Sequence, residues 1–180
     1  MGDFDYIIVG GGSSGATLAG RLTADPSVKV LLLEAGPSDE SLKIKVPLGY
    51  GSLFYDQKFN WKYETEPEPE LNGRRMYWPR GKVLGGSSAI NAMVYVRGHP
   101  NDYDEWADVA PSWNWSNVEP YFKKIESWKG EGSPVRGKSG PVDVSNVEND
   151  VHPLTNKYLE AGEELGFSYN HISNASLGDK

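Results

Sequence analysis

Gly10, Gly12 and Gly15 form a Gly-x-Gly-x-x-Gly array between the apolar run at residues 4–9 and a stretch of helical character at residues 16–22. Glu34, nineteen residues beyond the third glycine, closes a second apolar run at residues 28–33. Each position in such an array has a physical task. The first glycine allows a tight turn, the second lets the main chain approach a pyrophosphate, and the third lets helix and strand pack closely. The helix start offers N–H groups and a partial positive charge to phosphates. A carboxylate at the end of the second strand accepts hydrogen bonds from ribose hydroxyls. Ser13 and Ser14 in the turn and Ala35 beside Glu34 complete this candidate set. The chemistry implied is an adenine dinucleotide. An acid at residue 34 argues against a 2′-phosphate and hence NADP, and the unit alone leaves NAD and FAD open.

The second glycine-rich segment is Arg80-Gly81-Lys82-Val83-Leu84-Gly85-Gly86-Ser87-Ser88-Ala89-Ile90-Asn91, continuing to Tyr95, Gly98 and Asp104. It resembles the first signature of the glucose-methanol-choline (GMC) oxidoreductase family. The N-terminal array resembles that family's FAD fingerprint at the expected spacing, and residues 103–106 are similar to its continuation. The resemblance covers nearly the whole chain and weakens after about Tyr169. It implies FAD rather than NAD. It also implies that Val83, Gly85, Gly86, Ser87, Asn91, Ala92, Met93 and Val94 run along the flavin and pyrophosphate. Plainer structural readings stand beside these roles: Ser87-Ser88 as a helix cap, Asn91 as a satisfied buried amide. For Arg80 and Lys82 a solvated or ion-paired loop cation is preferred over a positive field near the flavin.

Some family members attach FAD through a histidine in this segment. The matching position is Ile90, which cannot form that bond, so FAD is expected to be non-covalent. The resemblance implies an FAD-dependent oxidase or dehydrogenase that oxidises a primary or secondary alcohol by hydride transfer to flavin N5. Its catalytic base is a histidine near the C-terminus of the full-length proteins, so no catalytic residue is assigned here. The three histidines, His99, His152 and His171, have no partner at metal-ligand or triad spacing. The tryptophans are read as core or interface, with Trp61 alone considered for a place near the flavin. Two rival readings are a hydroxynitrile lyase-like enzyme that keeps FAD and a non-catalytic flavin-binding subunit.

These residues need a scaffold. Strand, helix and strand over residues 4–33 make one β-α-β unit, so the fold class is α/β, Rossmann-like and FAD-binding. It is incomplete, because a doubly wound sheet needs several parallel strands with both faces covered. Residues 1–150 are expected to be the N-terminal part of the FAD-binding domain and 151–180 the start of a substrate-domain segment. A second polypeptide would supply the remaining domains and the catalytic histidine. Further along, strands are expected at 61–65 and 75–78 around the turn formers Asn72-Gly73. Helices are expected from His99, from Ser116 to about Trp128 with a capping box and Pro120 in the first turn, and from Pro153 to Leu165.

Composition sets the outer bounds. The 180 residues are 38% apolar and 12% aromatic, too many for a disordered chain. A net charge of −7 argues against a nucleic-acid surface, which needs a basic face. The apolar runs are too short to span a bilayer. Zero cysteines exclude disulfides and thiolate chemistry. With no leader recognisable before Asp3, a cytoplasmic location is expected.

Overall fold

The structure, a computed structural model, describes residues 3–147 and 150–167. His171 and the patternless last dozen residues lie outside the described residues. The chain forms two compact units, Met1–Val94 and Tyr95–Lys180. Their boundary falls inside the expected segment 1–150.

In the first unit, β1 (Tyr6–Val9), α1 (Ser13–Leu22) and β2 (Val30–Leu33) form the β-α-β unit. The β-branched and aliphatic strands pair in parallel, Tyr6 opposite Val30 and Val9 opposite Leu33. The Gly10 N–H donates to the Leu33 carbonyl at 2.7 Å, extending the ladder into the turn. Parallel strands are usually covered on both faces. Here Ile8 is buried beneath α1, whereas Val9 is 83% exposed. No described element covers that outer face.

Residues 43–55, whose weak pattern suggests a loop with a short helix, lie in a stretch that coils into α2 (Leu42–Lys45) and α3 (Tyr50–Leu53), with a 3-10 turn at Pro47–Gly49 between them. The hairpin is as expected but its ladder is short. β3 (Tyr63–Glu64) pairs antiparallel with β4 (Tyr77–Trp78). Asn72 and Gly73 both take positive φ, and the Arg74 N–H donates to the Leu71 carbonyl at 3.2 Å. That is a type I′ turn, the form whose twist suits a hairpin. Leu53, Phe59, Val83 and Ile90 form the core of this unit, flanked by Ile44 and Ala89. Each such side chain contributes about 1.5–3 kcal/mol by leaving water.

The second unit contains α4 (Pro100–Trp106), α5 (Trp115–Ile125), β5 (Glu126–Trp128), β6 (Val142–Val144) and α6 (Pro153–Glu164). His99 caps α4, its Nδ1 accepting from the Asn101 N–H while Asp102 accepts from the His99 N–H. His152 caps α6 in the same manner, accepting from the Leu154 N–H. The α5 boundaries differ from expectation. Asn114 rather than Ser116 is the cap, its Oδ1 accepting from the Asn117 N–H at 3.0 Å. Pro120 therefore lies inside the helix. The helix also stops at Ile125, because Glu126 enters a parallel strand pair opposite Val142. Rings of Tyr103, Trp106, Trp115 and Phe122 pack together between α4 and α5 at centroid distances of 5.4–6.0 Å. Among the described residues no helix is long and apolar enough to cross a membrane.

Candidate cofactor-binding site

The first unit carries a cleft of about 960 Å³, walled by the end of β1, the start of α1, the end of β2 and the second glycine-rich segment. That volume is at the upper end for small-molecule sites. The α1 N-terminus opens into it from Gly12 with no side-chain cap, so its first N–H groups and the helix dipole face the cleft. At Gly15 an added Cβ would lie 1.9 Å from the Gly10 carbonyl oxygen. Only glycine permits that closeness of helix and turn.

The two glycine segments are one structure. Gly86 sits at φ +59°, and a Cβ on it would lie 2.7 Å from Gly12 Cα. The Gly85 N–H donates to the Gly11 carbonyl at 2.8 Å, and Leu84 N–H to the Pro37 carbonyl at 2.9 Å. The hydroxyls of Ser13 and Ser88 are hydrogen-bonded to each other. Ser87 Oγ accepts from the Gly81 N–H at 3.0 Å. Neither Ser87 nor Ser88 caps a helix: Ser88 ties the second segment to the first, and Ser87 fastens the second segment onto itself.

Glu34 is held from two sides. Its Oε2 accepts from the Gly11 N–H at 2.7 Å and its Oε1 from the Gly36 N–H at 2.8 Å. Each oxygen keeps a lone pair for a further donor, so the carboxylate is aimed and still able to bind hydroxyls.

Of the residues singled out from the sequence, Gly10, Gly12, Ser13, Ser14, Gly15, Glu34, Ala35, Gly86 and Ser87 line this cleft. The remaining six have other placements. Val83 is fully buried in the core, and Gly85 takes φ +91° at the head of a 3-10 turn, Gly86–Ala89. Asn91 is exposed, not buried, with its Oδ1 accepting from the Met93 N–H at 2.9 Å. Ala92, Met93 and Val94 are exposed as well.

Several lining residues escaped the sequence reading, notably Leu18, Tyr63 and Gly81, and Trp61 and Arg80 line the cleft too. Asn60 was missed altogether. It is buried, donating from Nδ2 to the Phe54 carbonyl at 2.8 Å and accepting at Oδ1 from the N–H groups of Lys62 and Arg80 at 2.8 and 3.0 Å. An amide flanked by Phe59 and Trp61 carries no periodic signal that would distinguish it from a turn residue. Among the described residues no group of three or more His, Asp or Glu could hold a metal ion.

An uncapped helix start, a backbone cradle that a Cβ would fill and an aimed carboxylate define a dinucleotide-binding α/β protein. A family model described as GMC oxidoreductase matches residues 4–180. The chain belongs to the GMC oxidoreductase family and covers its N-terminal FAD-binding portion. It is 47% identical to an alcohol dehydrogenase [acceptor] of Pseudomonas putida, over 93% of this chain and 30% of the relative. It is 42% identical to the mitochondrial choline dehydrogenase of Mus musculus, over 96% of this chain and 30% of the relative. Pyridoxine 4-oxidase from Mesorbium loti superposes with a TM-score of 0.81 at 39% identity, covering 92% of this chain and 33% of that one. A formate oxidase of Aspergillus oryzae, studied for FAD modification, superposes at 0.82 and 32% identity, covering 96% and 32%. The chain thus spans about a third of the length of these relatives.

Proposed function

We propose that this chain is the FAD-holding portion of an enzyme that oxidises a primary or secondary alcohol. The observation that carries the reading is the pair of interlocked glycine segments lining a cleft with an aimed carboxylate at one end. Relatives named as alcohol and choline dehydrogenases support the substrate class. When bound, FAD supplies a two-electron acceptor for the hydride of an alcohol carbon at flavin N5.

The chain's own residues do the binding. N–H groups at the start of α1 receive the pyrophosphate, Glu34 accepts from ribose hydroxyls, and Gly86 with Ser87 closes the opposite wall without side-chain bulk. Attachment is non-covalent in this reading, supported by Ile90, an aliphatic side chain packed in the core. A second polypeptide carrying the rest of the FAD and substrate domains, with a catalytic histidine, completes the enzyme. The exposed Ile7 on β1 supports this, since a parallel strand is stable when both its faces are covered.

The test is optical. The purified protein, together with its companion polypeptide, should be yellow, and its flavin absorbance should bleach when an alcohol is added without oxygen. Denaturation should release FAD into solution. Flavin that stays with the precipitated polypeptide would overturn non-covalent binding, and a colourless protein would overturn the whole reading.

A further inference from the structure

Asn60 is 2% exposed, and its amide is bonded at both ends. Nδ2 donates to the Phe54 carbonyl, just past α3, at 2.8 Å. Oδ1 accepts from two N–H groups, of Lys62 at 2.8 Å and of Arg80 at 3.0 Å. Lys62 takes φ +56°, a conformation that a lysine adopts only where its surroundings dictate it. The main chain adds a bond on either side. Trp61 N–H donates to the Arg80 carbonyl at 2.9 Å, and Lys82 N–H donates to the Phe59 carbonyl at 2.8 Å. Residues 80–82 are thus held against residues 59–61, with the amide at the centre.

From there close contacts lead to the start of α1. Gly81 donates its N–H to Ser87 Oγ at 3.0 Å, and a Cβ on Gly81 would lie 2.2 Å from the Gly86 carbonyl oxygen. A Cβ on Gly86 would lie 2.7 Å from Gly12 Cα, and Gly12 is the N-cap residue of α1. At all three glycines main chain rests on main chain, with no side chain to absorb a displacement. Close-packed contacts of this kind transmit strain. Arg80, Gly81 and Gly86 line the cleft, whereas Asn60 stands behind them.

We propose that Asn60 is a positioning residue for the bound cofactor. Its amide fixes residues 80–82, and through Gly81 and Gly86 it sets the gap between the second glycine segment and the start of α1. The proposal rests on the FAD reading above and adds to it a residue that acts from behind the wall. The side chain must donate at one end and accept at the other, which an amide does and an ionised carboxylate does not. Bare main chain has no flexible side chain to take up a misfit, so the gap decides how tightly and in what orientation the cofactor sits.

FAD affinity and the visible circular dichroism of bound flavin are measured on the protein together with its companion polypeptide, well below its unfolding temperature. Asn60→Leu, close in volume and without polar atoms, should weaken FAD about tenfold and change the flavin dichroism. Asn60→Asp keeps an acceptor for the Lys62 and Arg80 N–H groups and loses the donor to Phe54. It should melt earlier than the wild type, yet hold FAD within about threefold and keep the wild-type dichroism. Where Asn60→Leu does not fold, Asn60→Ala carries the same comparison. Unchanged affinity and dichroism in every folded variant would overturn the proposal. So would losses that follow the melting temperature alone, with Asn60→Asp no better than its destabilisation allows. Wild-type protein that binds FAD with no dependence on residue 60 defeats this inference alone. Wild-type protein that binds no FAD defeats the function proposed above.

Discussion

The two units achieve order by different means. In the first, main chain meets main chain: Gly86 on Gly12, Gly15 on the Gly10 carbonyl, Gly36 on Lys82. In the second, close main-chain contacts at Gly137 and Gly140 are joined by a buried cluster of charged side chains. Glu126 is fully buried, with Arg97 Nη2 at 2.6 Å from one carboxylate oxygen and Arg136 Nη2 at 2.8 Å from the other. The Gly137 N–H also donates to Glu126 at 2.7 Å, and Arg97 Nη1 donates to the Val135 carbonyl at 2.6 Å. The Arg136 guanidinium lies 4.0 Å from the Trp128 ring centroid. Burial pulls its pKa below the usual arginine range, against the opposing pull of Glu126. A site that must admit a ligand's phosphates needs walls without side chains. The loop at residues 130–140, low in regular structure, adds charged side chains to its glycine contacts on the main chain.

The contrast can be broken most forcefully at Glu126. Glu126→Ala leaves two buried guanidinium groups without their carboxylate, and should cost about 3–5 kcal/mol of stability. Urea unfolding of the full-length protein measures it. A loss below 1 kcal/mol would mean the triad fastens nothing.

Gly86→Ala is the counterpart in the first unit. A Cβ at positive φ and 2.7 Å from Gly12 Cα should cost about 1–3 kcal/mol and lower the FAD retained on gel filtration. Full retention of flavin would show that the two glycine segments can part without harm.

A smaller effect sharpens the boundary of α5. Asn114→Ala should cost about 1 kcal/mol, as expected for a lost N-cap, whereas Ser116→Ala should cost clearly less. Equal losses in thermal unfolding would restore Ser116 as a cap.

The smallest effect concerns Asp56, which lies 2.8 Å from Lys43 Nζ. The Lys43 hydrogen bond, with help from the Lys58 N–H, holds its carboxyl below the usual carboxylate range. A depressed folded-state pKa means the contribution is present at neutral pH and is lost as the pH falls through and below that range. Asp56→Asn should therefore cost under about 1 kcal/mol at pH 7 and progressively less as the pH falls below the usual carboxylate range. A cost that persists in acid would exclude the ion pair as its source.

How legible each unit was in the sequence follows from the same contrast. Glycines that touch backbone leave a spaced pattern, so the array at 10–15, its β-α-β context and the Asn72-Gly73 turn could be read directly. The segment at 80–91 was legible as glycine-rich, but its clasp on Gly12 was not, because the partners lie some seventy residues apart. Asn60 gives no sign of the strands it joins. The end of α5 was misjudged for a related reason: residues 126–128 continue an acceptable helical pattern. What turns them into a strand is the burial of Glu126 between arginines 29 and 10 residues away, and local propensity carries no information about that.

The crossing of Gly12 and Gly86 has a consequence for biosynthesis. A nascent chain exposes its first phosphate-binding turn long before the residues that complete the opposite wall have been translated. Until those residues emerge, β1 and α1 present half a socket to the surrounding nucleotides. The complete cradle therefore forms only once residue 86 has been translated, because its two walls lie 74 residues apart along the polypeptide.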